Sequence, residues 1–178
     1  ACFGGALTVC LTFGVDIVNR IHEMFITTFR SNIHSIPTDC PARERCGWLG
    51  DAHILAESAV YNYDCAAFFR KFSEDIETSA SKKFRTFRFG SGFDKHINTI
   101  KPTGMPTMIA PGKRMVSQAT IDWGIAVVLL PWYRYLYYGD KQALERHFPS
   151  MVQFLDYYIR HAKKGLVYDG LGDWCTPS

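Results

Sequence analysis

Residues 37–53 read PTDCPARERCGWLGDAH and place three acids, Asp39, Glu44 and Asp51, within 13 residues. An arginine stands on each side of Glu44, and Trp48 follows it by four residues. Tryptophan is uncommon in a fully solvated loop, and a glutamate between two arginines is rarely buried in an apolar core. The composition therefore fits either a lined binding site or a salt-bridged loop that caps the following helix, and the spacing alone leaves both open.

The three acids of this stretch are able to hold different protonation states. A neighbouring arginine lowers the pKa of a carboxyl group, and burial against an indole raises it. Hydrolysis of a glycosidic bond requires such a difference, because one carboxyl group protonates the leaving oxygen while another activates water or attacks the sugar. Trp48 adds a flat apolar face that suits the C–H side of a sugar ring.

Apolar residues elsewhere in the chain recur at spacings of three and four, which predicts helices. The pattern predicts four of them, over about 16–32, 51–76, 118–138 and 141–164. Strands and helices do not alternate, so the expected fold class is all-α, with helical hairpins. Residues 80–117 are rich in Gly and Pro and show no stable periodicity, and a loop of this length usually carries function.

Local signals predict where these helices begin, end and bend. Asp16 is the expected N-cap of the first helix, and Asp140 is the expected N-cap of the last. Gly139 is the expected C-terminal stop of the helix before it. Pro131 lies inside the third helical pattern and predicts a kink or a break there.

Apolar stripes predict which helix faces pack inward. The stripe of the first helix consists of Val15, Val18, Ile21, Phe25, Ile26 and Phe29. The stripe of the last helix consists of Leu144, Phe148, Met151, Val152, Leu155, Tyr158 and Ile159. The third helix is apolar nearly all round, which predicts that most of its faces are buried.

Charge and composition exclude several classes of partner. The net charge of +3 in 178 residues is too small to indicate nucleic acid, and KKFRTFRFG (82–90) is better interpreted as an amphipathic edge than as a stacking surface. The apolar residues 1–13 are too short to span a bilayer. We therefore expect neither a nucleic acid nor a membrane partner. No histidine lies in an HxxxH or HExxH pattern, so no metal or cofactor is expected.

The six cysteines fit no zinc-site spacing, and free thiols are a better interpretation than a disulfide framework in a chain of this length. The sequence does not decide whether Cys40 and Cys46 form a disulfide, nor in which cellular compartment the protein works. Residues 1–13 favour the end of a strand that leaves an upstream β-rich domain or linker. Both ends of the chain look cut, so we expect a piece of a longer protein.

Four segments together resemble a known family. They are SNIHSIPTDCPARERCGWLGDAHILAESAVYNYD (31–64), GMPTMIAPGKR (104–114), DWGIAVVLLPWYRYLYYGD (122–140) and YDGLGDW (168–174). In this order they are similar to the motifs of the bacterial-type α-L-rhamnosidases. The resemblance implies that residues 14–178 are the N-terminal portion of a six-hairpin (α/α)6 glycosidase barrel whose long loops carry the site.

Carried over position by position, the resemblance implies roles for four charged residues. Glu44 matches the family's general acid, which donates a proton to the glycosidic oxygen. Asp39, Arg43 and Asp51 match residues that contact the sugar. This chain reads RER where many members of the family read RDER, so the arginine stands one residue closer to the acid.

The resemblance also implies the aromatic walls of the pocket. Trp48, Trp123 and Trp174 match these positions, and apolar walls suit the methyl group and ring face of a 6-deoxy sugar. The family has a further pocket aspartate within a PDVAP-like segment. This chain reads PTMIAP there, and Asp122 is the candidate to replace that aspartate.

The family inverts the anomeric configuration, which requires a second carboxylate about 6.5–9.5 Å from the acid, with water between them. In the family this base is a glutamate in later helices of the barrel, beyond residue 178 of this chain. The implied partner is a rhamnose-containing glycoside or polysaccharide, and the implied state of the isolated segment is inactive. Two alternatives stay open: a six-hairpin glycosidase of other specificity, and a non-catalytic carbohydrate-binding or helical interaction module.

Overall fold

The computed structural model describes residues 12–80, 84–85, 99–100, 104–111 and 118–168. The described residues form six helical segments and one antiparallel pair of two-residue strands, in which Phe84 pairs with Ile100. In chain order these are α1 (Asp16–Asn32), α2 (Leu49–Asn62), α3 (Ala66–Ala80), β1 (Phe84–Arg85), β2 (Thr99–Ile100), α4 (Ile121–Gly124), α5 (Ala126–Tyr138) and α6 (Lys141–His161). The all-α prediction is confirmed.

α5 is the central helix of the described fold, because it packs against α2, α3 and α6. Its inward face carries Leu130 and Pro131, both fully buried. The neighbouring helices contribute Phe69 and Phe72 from α3 and Phe154 from α6. Burial of such large side chains is the main favourable term in folding, so these rings hold the scaffold that carries the loops.

Helix ends confirm most of the local predictions. Gly139 adopts a left-handed conformation with a φ of 66° and ends α5, as glycine does at a helix C-terminus. Asp140 caps α6, since its side chain accepts a hydrogen bond from the Ala143 N–H. The predicted N-cap at Asp16 is wrong: Val15 takes that position, and Asp16 is the first residue of α1.

The prediction of one helix over 51–76 is wrong. Two helices cover this range, because α2 ends at Asn62 and α3 begins at Ala66. Tyr138 explains the break. Its hydroxyl accepts a hydrogen bond from the Cys65 N–H at 2.8 Å and donates one to the Tyr63 carbonyl at 3.3 Å. A side chain from α5 thus satisfies backbone groups that a continuous helix would have paired internally.

The helix predicted over 118–138 is also divided, although not at the proline. The division falls at Ile125, between α4 and α5, and α5 continues through Pro131. α5 is therefore not broken at Pro131, where the sequence predicted a kink or a break. Its ring is fully buried in the contact between α5 and its neighbours, and this packing offsets the loss of one helical hydrogen bond.

Much of the apolar surface predicted to be buried is exposed in the described chain. On α6, Phe148 is 60% exposed and Ile159 is 71% exposed. Tyr158 of the predicted stripe is buried, and His147 and Phe154, which lay outside that stripe, join it on the inward face. On α1 only Phe29 of the predicted stripe is buried. α5 likewise leaves Trp132, Tyr135 and Leu136 exposed. Part of the apolar surface of the described helices is therefore not covered by the other described helices. Within the described residues, no helix is long and apolar enough to cross a membrane.

Candidate active site

The loop that carries Glu44 is closed on itself by two hydrogen bonds between its ends. The Asp39 N–H donates to the Cys46 carbonyl at 3.1 Å, and the Cys46 N–H donates to Asp39 Oδ1 at 2.9 Å. Arg45 adopts a φ of 55°, a left-handed conformation that turns the chain back toward its start. One carboxylate oxygen of Asp39 thus holds the loop that presents Glu44.

Glu44 points at an indole rather than into bulk solvent. The Trp48 Nε1–H donates a hydrogen bond to Glu44 Oε2 at 2.7 Å, and both side chains are half-buried. Trp48 is the N-cap residue of α2, so the helix start fixes the direction of the indole. A hydrogen bond of this length holds the carboxyl group in a defined orientation.

Asp51 lies in the first turn of α2, near the other two acids. Burial is the main cause that raises the pKa of Asp51 above its ordinary value, although a backbone hydrogen bond opposes it. The negative charges of Asp39 and Glu44 raise it further, and His53 lowers it. The three acids predicted to form one site therefore interact electrostatically.

The second motif segment, 104–111, packs directly against the Glu44–Trp48 stretch. The Ala110 N–H donates to the Gly47 carbonyl at 2.9 Å, and the Leu49 N–H donates to the Met108 carbonyl at 3.0 Å. Any side chain at position 47 would collide with the Ala110 carbonyl, because a Cβ placed there would lie 1.9 Å from that oxygen. This approach requires glycine.

Trp123 reaches the same region from α4 and packs on α2. A Cβ placed at Gly50 would lie 2.7 Å from Trp123 Nε1, so the indole rests on the bare backbone of that glycine. Within the described residues, this buried Nε1 has no hydrogen-bond partner. Three separate stretches of sequence thus meet at the start of α2: the acid loop, segment 104–111 and α4.

Arg43 and Asp122 are predicted site residues that the structure does not bring into this cluster. Arg43 is exposed and has no ion-pair partner in the part of the chain that is described. Trp174 lies outside the described residues. Asp122 is exposed; its carboxylate accepts hydrogen bonds from the Thr120 hydroxyl and the Trp123 N–H, which are local contacts at the start of α4.

Sequence reasoning missed three residues that contact the site. His53 Nε2 lies 2.9 Å from the Asp122 carbonyl and so joins α2 to α4. Cys40 and Cys46 are not joined by a disulfide, and the Sγ atom of each contacts the backbone of Glu44. The only signal in the sequence was their position inside the acid-bearing motif. Among the described residues, no group of three or more His, Cys, Asp or Glu side chains gathers as a metal site.

A family model described as the bacterial alpha-L-rhamnosidase 6 hairpin glycosidase domain matches residues 10–178. The chain belongs to this family. An alpha-L-rhamnosidase of Formosa agariphila is 44% identical over 91% of the chain, and one of Streptomyces avermitilis is 32% identical over 92%. The family prediction made from the motifs is confirmed.

Solved structures agree with this assignment. The Streptomyces avermitilis alpha-L-rhamnosidase complexed with L-rhamnose has a TM-score of 0.79 and 31% identity, covering 97% of this chain and 15% of its own. The alpha-L-rhamnosidase from Dictyoglumus thermophilum has a TM-score of 0.76 at 31% identity, covering 97% of this chain and 17% of its own. The chain spans only 16% and 14% of the two curated relatives named above.

Proposed function

We propose that this rhamnosidase-family chain supplies the acid side of an active site that hydrolyses terminal α-L-rhamnosides, with Glu44 as the general acid. The observation that carries the proposal is the hydrogen bond from Trp48 Nε1 to Glu44 Oε2 at 2.7 Å, which orients the carboxyl group within the family's motif. A general acid must lie within hydrogen-bond reach of the atom that it protonates, so a fixed orientation is its first requirement.

The proposed reaction is a single displacement with inversion. Glu44 gives its proton to the glycosidic oxygen as the bond to the anomeric carbon breaks. A water molecule attacks that carbon from the opposite face, and a second carboxylate removes its proton. This chain spans about one-sixth of the relatives' length, so we assign the base to a region outside residues 1–178. Residues 14–178 would then be the N-terminal portion of the catalytic domain of a longer protein.

The proposed substrate has one polar and one apolar side, and the candidate residues fit both. Asp39 and Arg43 would bind ring hydroxyls through charge-assisted hydrogen bonds, and Asp51 would contact a further hydroxyl. The indoles of Trp48, Trp123 and Trp174 would face the methyl group and the C–H face of the ring. Burial, and after it the charges of Asp39 and Glu44, raises the pKa of Asp51. This favours its neutral form, which would let it donate a hydrogen bond to a hydroxyl.

The test is the Glu44→Gln variant of the full-length protein, because glutamine keeps the shape and removes the proton. We expect kcat/KM for an alkyl α-L-rhamnoside to fall about 10²–10⁴-fold. The fall should be smaller for p-nitrophenyl α-L-rhamnoside, whose leaving group needs little protonation. The matched control is Glu23→Gln on the exposed side of α1, for which we expect no change.

Several outcomes would contradict parts of this proposal. If Asp51→Asn rather than Glu44→Gln gives the loss that depends on the leaving group, Asp51 is the acid. Sugar binding without turnover would indicate a binding module, and turnover of other aryl glycosides in preference would indicate another specificity. If residues 1–178 alone cleave the substrate at a rate that Glu44→Gln abolishes, the base lies within this chain.

A further inference from the structure

The backbone of Glu44 lies between two thiols. Its N–H donates a hydrogen bond to Cys40 Sγ at 3.1 Å, and its carbonyl accepts one from Cys46 Sγ–H at 3.2 Å. Both side chains are half-buried, and no disulfide joins them. The two contacts hold the same peptide segment from opposite ends of the loop.

Glu44 needs these contacts because it lies outside every helix and strand. Loop 39–46 is closed at its ends by Asp39 and Cys46, which leaves its interior without ladder hydrogen bonds. Within the described part of the chain, the two thiols are the partners of the Glu44 backbone. Sulfur is a weak donor and acceptor, so such bonds add little stability. They do determine where the Cα–Cβ bond of Glu44 points.

We propose that Cys40 and Cys46 are positioning residues that fix the backbone of Glu44, so that its carboxyl group is presented to the substrate in one geometry. The proposal rests on the proposed role of Glu44 as general acid. Three contacts then define the acid: Cys40 at its N–H, Cys46 at its carbonyl and Trp48 at its side chain. Catalytic groups must be held to within about 0.5 Å of the productive geometry, so a small displacement of this loop has a large effect on rate.

Cys65 provides a matched control from the same chain. Its side chain is fully buried between α2 and α3, and burial raises the pKa of its thiol to about 12. It belongs to the scaffold rather than to the acid loop. A Cys65→Ala variant therefore tests what the loss of a buried thiol does when the acid is not involved.

The experiment compares the Cys40→Ala and Cys46→Ala variants of the full-length protein with Cys40→Ser, Cys46→Ser and Cys65→Ala. We expect each alanine variant of the loop to lower kcat/KM for an alkyl α-L-rhamnoside about tenfold or more, as a misplaced catalytic group does. The loss for p-nitrophenyl α-L-rhamnoside should be less than about threefold, because this leaving group depends little on the acid. The serine variants, which keep an acceptor and a donor, should recover most of the activity.

A purely structural role would give a different pattern. It would lower the rates for both substrates by the same factor, as partial unfolding does, and Cys65→Ala would then behave like the loop variants. Either result overturns the proposal. If Glu44→Gln does not change kcat/KM for the alkyl rhamnoside, the proposed function itself is wrong. If Glu44→Gln lowers it as expected and the loop variants match the wild type, only the positioning role is wrong.

If the alanine variants do not fold, as judged by their melting temperature, a second measurement on wild-type protein tests the proposal. Wild-type protein is treated with methyl methanethiosulfonate, which blocks accessible thiols, and is then reduced with dithiothreitol. We expect a loss that is larger for the alkyl rhamnoside than for the aryl rhamnoside, is reversed by the reductant and is absent from the Cys40→Ser/Cys46→Ser double variant. An equal loss in the double variant would overturn the proposal.

Discussion

Replacing Gly47 by alanine should separate the acid loop from segment 104–111. The new Cβ would lie 1.9 Å from the Ala110 carbonyl oxygen and 3.2 Å from a ring carbon of Phe72. Ordinary contact begins at 3.4 Å, so the two segments must move apart by about 1.5 Å. That shift breaks the hydrogen bonds Ala110 N–H to Gly47 and Leu49 N–H to Met108. A buried polar group left unpaired costs about 1–3 kcal/mol, so losing both bonds predicts a loss of about 2–6 kcal/mol.

Urea unfolding of the variants, followed by tryptophan fluorescence, measures this loss. The matched control is Gly14→Ala: no atom lies within 4 Å of a Cβ placed there, and we expect a change within about 0.5 kcal/mol. Activity toward an alkyl rhamnoside should fall as well, because Gly47 lies between Glu44 and Trp48. If Gly47→Ala unfolds at the same urea concentration as Gly14→Ala, the close approach to Ala110 does not exist and the reasoning fails.

Two further predictions concern the scaffold. Tyr138→Phe leaves the Cys65 N–H without its partner and should lower the free energy of unfolding by about 1–3 kcal/mol, whereas the exposed Tyr168→Phe should leave it unchanged. Urea midpoints measure both, and equal midpoints would contradict the role of Tyr138 at the break. Asp51→Asn should stabilise the fold at neutral pH, because burial disfavours the charged carboxylate, and the gain should vanish below the ordinary pKa of 3.8. Unfolding measured between acid and neutral pH tests this, and a variant less stable than wild type at neutral pH would refute it.

The sequence predicted the features that depend on local chemistry. The bounds of α1 match its apolar periodicity, and Gly139 and Asp140 end one helix and begin the next as their backbone preferences require. The acid-bearing motif put Asp39, Glu44 and Asp51 close enough for both other acids to act on the pKa of Asp51, and Trp48 donates a hydrogen bond to Glu44. These signals are carried by residues within a few positions of one another.

Features that depend on distant residues were missed or wrong. The division between α2 and α3 depends on the Tyr138 hydroxyl, which lies 73 residues from Cys65 in the chain. Pro131 does not break α5, because its ring is packed in the core. Periodicity shows that a helix face is apolar but not what covers it, so the exposed Phe148 and Ile159 of α6 were assigned to the core.

The spacing of glycines around Trp48 joins the fold to the site. Gly47 admits the Ala110 carbonyl on one side of the tryptophan, and Gly50 admits the Trp123 indole on the other. A larger residue at either position would displace a segment that belongs to the proposed pocket. The GWLG stretch is therefore a packing junction as well as part of the proposed pocket. Any change that loosens this junction should affect both stability and the orientation of Glu44, because the same tryptophan that starts α2 also holds the carboxyl group.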